Sequence, residues 1–309
     1  MKNEKKQREL LPPFIFSPFK IFPALFFFYA LSAFSFSFAQ TPPRPLTFAE
    51  LWNNAAYYET NLERKNFSSL LGRFEGKLGV NLFNLPLQLY GAYYGMASQS
   101  EDYWDNSLFY GVGIRFYPFE NFQGTSWANE WIRALKVFAE KLTSSYLKGA
   151  ASAEASNLWK TDTRYGLDLW YEWNLDHPDE NLPWGELWAN LSYRTTNFGW
   201  EPEGFKSYVI YFQPKIGRHL GKGVEVYLRS DLVASGKSGP DYYFLNNLDY
   251  GVGIRFEPWR ESHSSDSILK KFKMFAEVLG VSYLKDKPSD ANKIVSSDVR
   301  FGIDFSYGR

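Results

Sequence analysis

Two stretches of this chain read alike from end to end, and that repetition limits its fold more than any other feature. "YGVGIRF" runs from Tyr110 to Phe116 and again from Tyr250 to Phe256. Around it, "AELWNNAAYYETN" at 49–61 lines up with "GELWANLSYRTTN" at 185–197, and "FEGKLG" at 74–79 with "FQPKIG" at 212–217. "LQLY" at 87–90 matches "VEVY" at 224–227, and "LKVFAEKLTSSYLK" at 135–148 pairs with "FKMFAEVLGVSYLK" at 272–285. "TRYGLDLWY" at 163–171 pairs with "VRFGIDFSY" at 299–307, and the offset stays between 136 and 140 throughout. Solenoid and propeller repeats have periods of about 20–50 residues. Each copy here is therefore a multi-element unit, and the chain reads as an internal duplication with half-repeats at 49–184 and 185–309.

The repeated segments carry a period of two. In "RFGIDFSY", Phe301, Ile303, Phe305 and Tyr307 alternate with Arg300, Gly302, Asp304 and Ser306. In the doubled heptapeptide Tyr110, Val112, Ile114 and Phe116 share one face, and Gly111, Gly113 and Arg115 share the other. That is strand alternation, without the three- and four-residue spacing of a helix. The segments run for 10 to 15 residues. A soluble strand has a mode near five or six residues, whereas a tilted membrane-spanning strand needs about 9–11. Six strands fit each copy, at 49–60, 68–80, 86–97, 106–118, 134–147 and 163–174, then 186–197, 206–218, 224–235, 246–258, 271–284 and 298–308. Connections are too short for helical crossovers, so neighbours are antiparallel. In hydrocarbon only a closed barrel satisfies every backbone N–H and C=O of such strands. The expected fold class is all-β, a closed antiparallel transmembrane barrel of about 12 strands; a soluble two-sheet protein is the competitor.

Composition and the N-terminus agree with export to a membrane. Aromatic residues make up 19% of the chain, with 11 Trp and 21 Tyr. A soluble domain has little room for so many rings, while a lipid-facing surface accepts them. Lys2, Lys5, Lys6 and Arg8 precede an apolar run, and Ser37 and Ala39 are small residues at −3 and −1 before Gln40. Residues 1–39 therefore read as a signal peptide, residues 40–48 as a short periplasmic segment and 49–309 as the barrel. An uncleaved anchor is the alternative. Charge is balanced at 34 basic and 34 acidic residues, so nucleic acid is not an expected partner. There is no cysteine, which removes disulfides, thiol catalysis and zinc–thiolate sites.

The C-terminal strand carries the clearest resemblance. Arg300, Gly302, Phe305 and Tyr307 resemble the last-strand signal of porin-like outer-membrane β-barrel proteins, although the chain ends on Gly308-Arg309 rather than on an aromatic. The resemblance implies the outer membrane of a diderm bacterium, contact with its lipids, and recognition by the barrel-assembly machinery. The motifs together also resemble the C-terminal barrel region of bacteriophage N4 adsorption protein A-type proteins. Those proteins carry helical repeats before the barrel, for which Gln40 to Phe48 leave no room.

The chemistry-bearing residues point inward by alternation. "GVGIRF" lacks the third glycine and following helix of a dinucleotide loop, so no cofactor is expected, and no metal-ligand spacing stands out. His177, His219 and His263 lie at or beside connections; none has a partner signature, and no catalytic residue is assigned. The inward set includes Arg115, Arg255, Arg164, Arg300, Arg194, Arg229, Asp168, Asp304, Glu140 and Glu277, with Glu172, Glu225 and Asp231 on the same parity. Arg115 and Arg255 stand among glycines, so they are candidates for a constriction, or alternatively for salt bridges to Asp168 and Asp304. Trp52, Trp131, Trp184, Trp188 and Trp259 are read as interfacial girdle residues. Tyr103, Trp104, Tyr242 and Tyr243 lie on loops where they could meet a surface ligand. The leading expectation is an outer-membrane channel for small solutes through a polar lumen of balanced charge, with no strong anion or cation preference, and not an enzyme. The alternative is an exopolysaccharide-export or surface-receptor barrel working with partner proteins, with glycans as its ligands. An outer-membrane hydrolase ranks third.

Overall fold

A computed structural model of the chain describes residues 45–308, apart from 61–66, 83–84, 101–102, 104, 121, 123–126, 150–159, 176–181, 200–203, 240–241, 261–267 and 286–296. The signal-peptide reading of residues 1–39, Trp104, His177 and His263 all lie outside the described residues.

Twelve antiparallel strands close on themselves. They are β1 (Thr47–Thr60), β2 (Phe67–Asn81), β3 (Leu87–Ser98), β4 (Ser107–Phe116), β5 (Leu135–Tyr146) and β6 (Lys160–Trp173). The remainder are β7 (Trp184–Thr196), β8 (Phe205–Gly221), β9 (Val224–Ser235), β10 (Asn247–Phe256), β11 (Phe272–Tyr283) and β12 (Ser297–Tyr307). Each strand pairs with its sequence neighbours, and β1 closes the barrel against β12 from Leu51↔Tyr307 to Thr60↔Asp298. Closure leaves no open edge, which hydrocarbon would penalise. Strand ends differ from the sequence reading by a few residues at most. One helix escaped that reading: α1 (Trp127–Ala134), at the barrel end that holds both termini. Its Trp131 packs on Tyr171 at 5.7 Å between ring centroids, and the Tyr171 hydroxyl donates to Glu130 at 2.6 Å.

Alternation separates the two faces sharply. Along β10, Tyr250, Val252, Ile254 and Phe256 are 51%, 57%, 47% and 41% exposed, whereas Arg255 is 2% exposed. Leu70, Phe74 and Leu78 on β2, and Leu228, Val278 and Ile303 on β9, β11 and β12, extend the outward apolar face around the barrel. A continuous apolar belt of this kind is intolerable in water and stable in lipid. The protein is a transmembrane β-barrel of the outer-membrane type.

The paired glycines of the repeated heptapeptide have two distinct tasks. A methyl group at Gly113 or Gly253 would lie 2.5 Å or 2.3 Å from the inward-lying rings of Tyr90 and Tyr227. At Gly111 and Gly251 it would lie 2.2 Å and 2.1 Å from the backbone oxygens of Lys141 and Val278 on the next strand. The far end is clasped twice in the same way. Asn106 Oδ1 accepts from the Ser98 amide at 2.9 Å, and Asn246 Oδ1 from the Ser235 amide at 3.0 Å. Lys148 and Lys285 donate to the carbonyls of those same serines, each at 3.0 Å.

A ring can turn aside more readily than a backbone can. Gly251→Ala is therefore expected to lower the temperature at which the folded band is lost in heat-modifiable gel mobility, and by more than Gly253→Ala. The outward Val252→Ala should leave it nearly unchanged. Equal transitions for the two glycine variants would show that strand contact at Gly251 is not limiting.

Candidate functional site: the barrel lumen

The lumen is lined by charge, and most of that charge is paired across several strands. Arg115 donates to Glu50 on β1 at 2.8 Å and to Gln88 on β3 at 2.5 Å. Arg255 donates to Glu186 on β7 and to Glu225 on β9, both at 2.6 Å. Each guanidinium also lies over an aromatic ring, Arg115 at 4.8 Å from the Phe48 centroid and Arg255 at 4.4 Å from that of Trp184. Both arginines are 2% exposed. They are not projecting into open space. The expected alternative partners Asp168 and Asp304 are also not theirs: the carboxylates that accept from the two arginines are Glu50, Glu186 and Glu225.

The other inward residues form smaller groups. Arg164 and Arg194 converge on Asp162, the former at 2.7 Å. Arg300 donates to Asp298 at 2.8 Å and to Asp249 at 3.1 Å, and lies 3.5 Å from Asp231. Arg229 bridges Asp231 and Glu277, at 2.9 Å and 2.8 Å. Glu140 accepts from the hydroxyls of Tyr90 and Tyr94 at 3.0 Å and 2.6 Å, and Glu277 from that of Tyr227 at 2.7 Å. Asp168 accepts from Trp188 Nε1 at 3.1 Å and from Asn190 at 3.3 Å. Asp304 keeps one carboxylate oxygen, Oδ1, without a hydrogen-bond partner among the described residues. His219 lies buried beside Glu225 and Arg260, within 2.7 Å of each. Among the described residues no group of three or more His, Asp or Glu is arranged to hold a metal ion.

On one side this packing is incomplete. A cavity of about 310 Å³ lies against β1–β8, lined by Trp52, Arg73, Glu75, Lys77, Tyr94, Lys136, Glu140, Asp168, Trp170, Trp188, Asn190, Ser192 and Tyr211 among others. Six basic side chains (Arg73, Lys77, Arg115, Lys136, Arg164 and Arg194) share its wall with four carboxylates (Glu50, Glu75, Glu140 and Asp168). A fifth carboxylate, Asp162, is buried behind the wall between its two arginines. The lining is slightly basic.

Three of the expected girdle tryptophans are corrected here. Trp184 is wholly buried beneath Arg255, and Trp52 and Trp188 line the cavity. All three have the parity of the lumenal set, which their position near strand ends obscured. Trp259 is 42% exposed, as an outer aromatic should be. At the far end Tyr103 packs on Tyr146 at 5.5 Å, Tyr242 on Phe205 at 6.3 Å, and Tyr243 on Tyr283 at 5.9 Å. The partners Glu50 and Glu186 were missed, although both stand inside the repeated "AELW" and "GELW".

No family model matches the chain, and no curated protein matches it. Solved structures similar to it are membrane barrels. A NanC porin is 9% identical, with 82% of this chain and 98% of that one covered and a TM-score of 0.39. A bacterial polysaccharide outer membrane secretin is 12% identical, covering 85% and 100%, with a TM-score of 0.39. An outer membrane channel from Pseudomonas putida F1 is 10% identical, covering 87% and 97%, with a TM-score of 0.36. Barrel closure and the apolar belt of this chain, rather than those similarities, carry its assignment to the membrane. The resemblance to phage adsorption proteins finds no support among them.

Removing one partner of a buried ion pair strands the other, at a cost of about 3–5 kcal/mol. Arg255→Met is expected to destabilise the barrel by about the lower end of that range in urea unfolding from detergent or lipid, because Glu186 and Glu225 each lose the hydrogen bond from Arg255. Arg255→Met combined with Glu186→Gln, whose remaining cations Lys215 and Lys273 stand no closer than 3.6 Å, should recover part of the loss. No recovery would mean that packing over Trp184, not charge, dominates there.

Proposed function

We propose that this protein is an outer-membrane channel that passes small solutes through the unfilled side of its lumen. The observation that supports this reading is the cavity against β1–β8, polar and charged in its walls, inside a barrel whose other lumenal arginines are bonded to carboxylates. Pores select by the charge and width of their walls. A cavity of about 310 Å³ suits small solutes. In this reading residues 1–39 are a signal peptide and both termini face the periplasm. The barrel arose by duplication of a six-strand unit, and the pore-lining groups are those of the β1–β8 wall, while Arg229, Arg255, Glu277, Arg300 and Asp304 fill the other side.

Purified protein in planar bilayers with KCl is expected to give discrete conductance steps, with a mild preference for chloride seen as the sign of the reversal potential in a salt gradient. Ser192→Trp, which adds an indole to the cavity wall, should cut the step by roughly half or more. The outward Leu191→Trp should leave it unchanged. A membrane that stays silent with correctly folded barrel would rule out the channel.

A further inference from the structure

The cavity wall combines two features that charge-pair packing does not explain. The first is surplus cationic charge. Arg73 and Lys136 have no carboxylate within 4.0 Å among the described residues, and Lys77 approaches Glu140 and Glu75 only at 3.8 Å and 4.0 Å. A buried cation without a close partner is costly, so a site that keeps two of them is one that gains from an incoming anion.

The second is aromatic surface. Trp52, Trp170, Trp188 and Tyr211 all reach the same cavity. Trp188 and Tyr211 stand nearly parallel, 5.6 Å apart at 22°, and the Trp188 indole N–H is fixed by Asp168 at 3.1 Å. That bond holds the ring, and Asn190 holds the same carboxylate at 3.3 Å. A rigid, oriented indole in a cavity of about 310 Å³ is a platform for a flat or ring-shaped ligand rather than for an inorganic ion.

We infer that this cavity is a binding subsite for an acidic saccharide, one sugar ring lying against Trp188 and its carboxylate held by Lys136, whose ladder partner Asp168 holds that indole. The wall also decides between anion types. Glu75, Glu140 and Asp168 are acceptors, which sugar hydroxyls satisfy as donors, whereas the several negative charges of a nucleotide phosphate would be repelled by them. A uronate brings a single charge and many hydroxyls, and so meets both halves of the lining. The inference rests on the channel reading, since it names the solute class of that cavity, but it is tested without any current.

The experiment titrates detergent-solubilised barrel with cellobiouronic acid and with cellobiose, which differ in one carboxylate, following tryptophan fluorescence and heat of binding. The acid should bind about tenfold more tightly than the neutral disaccharide. Lys136→Met, or Lys136→Gln should the first variant lose its folded gel mobility, should erase that difference while leaving cellobiose binding as it was. Trp188→Ala should weaken both sugars by about tenfold. Equal affinity for the two sugars, or tighter binding of AMP than of the acid, would overturn the assignment. So would no binding by a barrel that conducts KCl, with the channel left standing. Binding by a barrel that conducts nothing would overturn the channel and keep the subsite.

Discussion

The structure depends on one requirement: every backbone N–H and C=O at membrane depth must find a partner within the protein. A strand cannot meet it alone, nor can an open sheet, whose edges would face hydrocarbon. Closing β12 onto β1 meets it for all twelve strands at once. Closure then turns each strand's alternation into an absolute division, one parity to lipid and the other to the lumen. The tyrosine, valine, isoleucine and phenylalanine of the heptapeptide go outward, and its arginine has nowhere to go but in.

What closure forces inward must then be neutralised, because burying an unpaired charge costs more than most single packing contacts contribute. The lumen answers with pairs that cross strands and with pairs two residues apart on one strand, such as Arg164 with Asp162 and Arg300 with Asp298. Arg115 reaches past β3 and β2 to Glu50, and Arg255 reaches past β9 and β8 to Glu186. The aromatic rings beneath them complete the same device in both copies: Phe48 under Arg115, Trp184 under Arg255. Tyr90 with Glu140, and Tyr227 with Glu277, repeat a second one. Arginine suits this work because its planar fork can hold two acceptors at once, as Arg255 does with Glu186 and Glu225.

Local pattern and tertiary consequence were unequally legible. Strand number, strand bounds and the inward set follow from period two, since alternation survives in any barrel. The partners of Arg115 and Arg255 do not follow, because barrel curvature and strand tilt decide which residues meet across the lumen. Asp168 and Asp304 share the right parity, but Asp168 is taken by Trp188 and Asn190, and Glu50 and Glu186 hold the arginines. Trp184 and Trp188 were misplaced for a related reason: nearness to a strand end suggested a girdle, and parity, which pointed inward, should have prevailed. Helix α1 was hidden in a connection whose length alone suggested a loop.

The two copies differ where the lumen differs. Residues 92 and 229 occupy matched places in "LQLYGA" and "VEVYLR", yet one is alanine and the other arginine. Arg229 reaches Glu277 and Asp231, occupying the space beside Tyr227. At Ala92 no such side chain exists, and Glu140 is held instead by Tyr90 and Tyr94, which leave the cavity at their backs. Tyr117 and Glu120 likewise match Glu257 and Arg260, a pair that adds to the ion cluster around Glu225. One copy has thus spent its extra charges on filling its own side. The other lacks them, and its remaining cations, Arg73 and Lys136, are left facing open volume. The open volume in this barrel therefore lies where the repeat fails to match, not at the heptapeptide in which it matches perfectly.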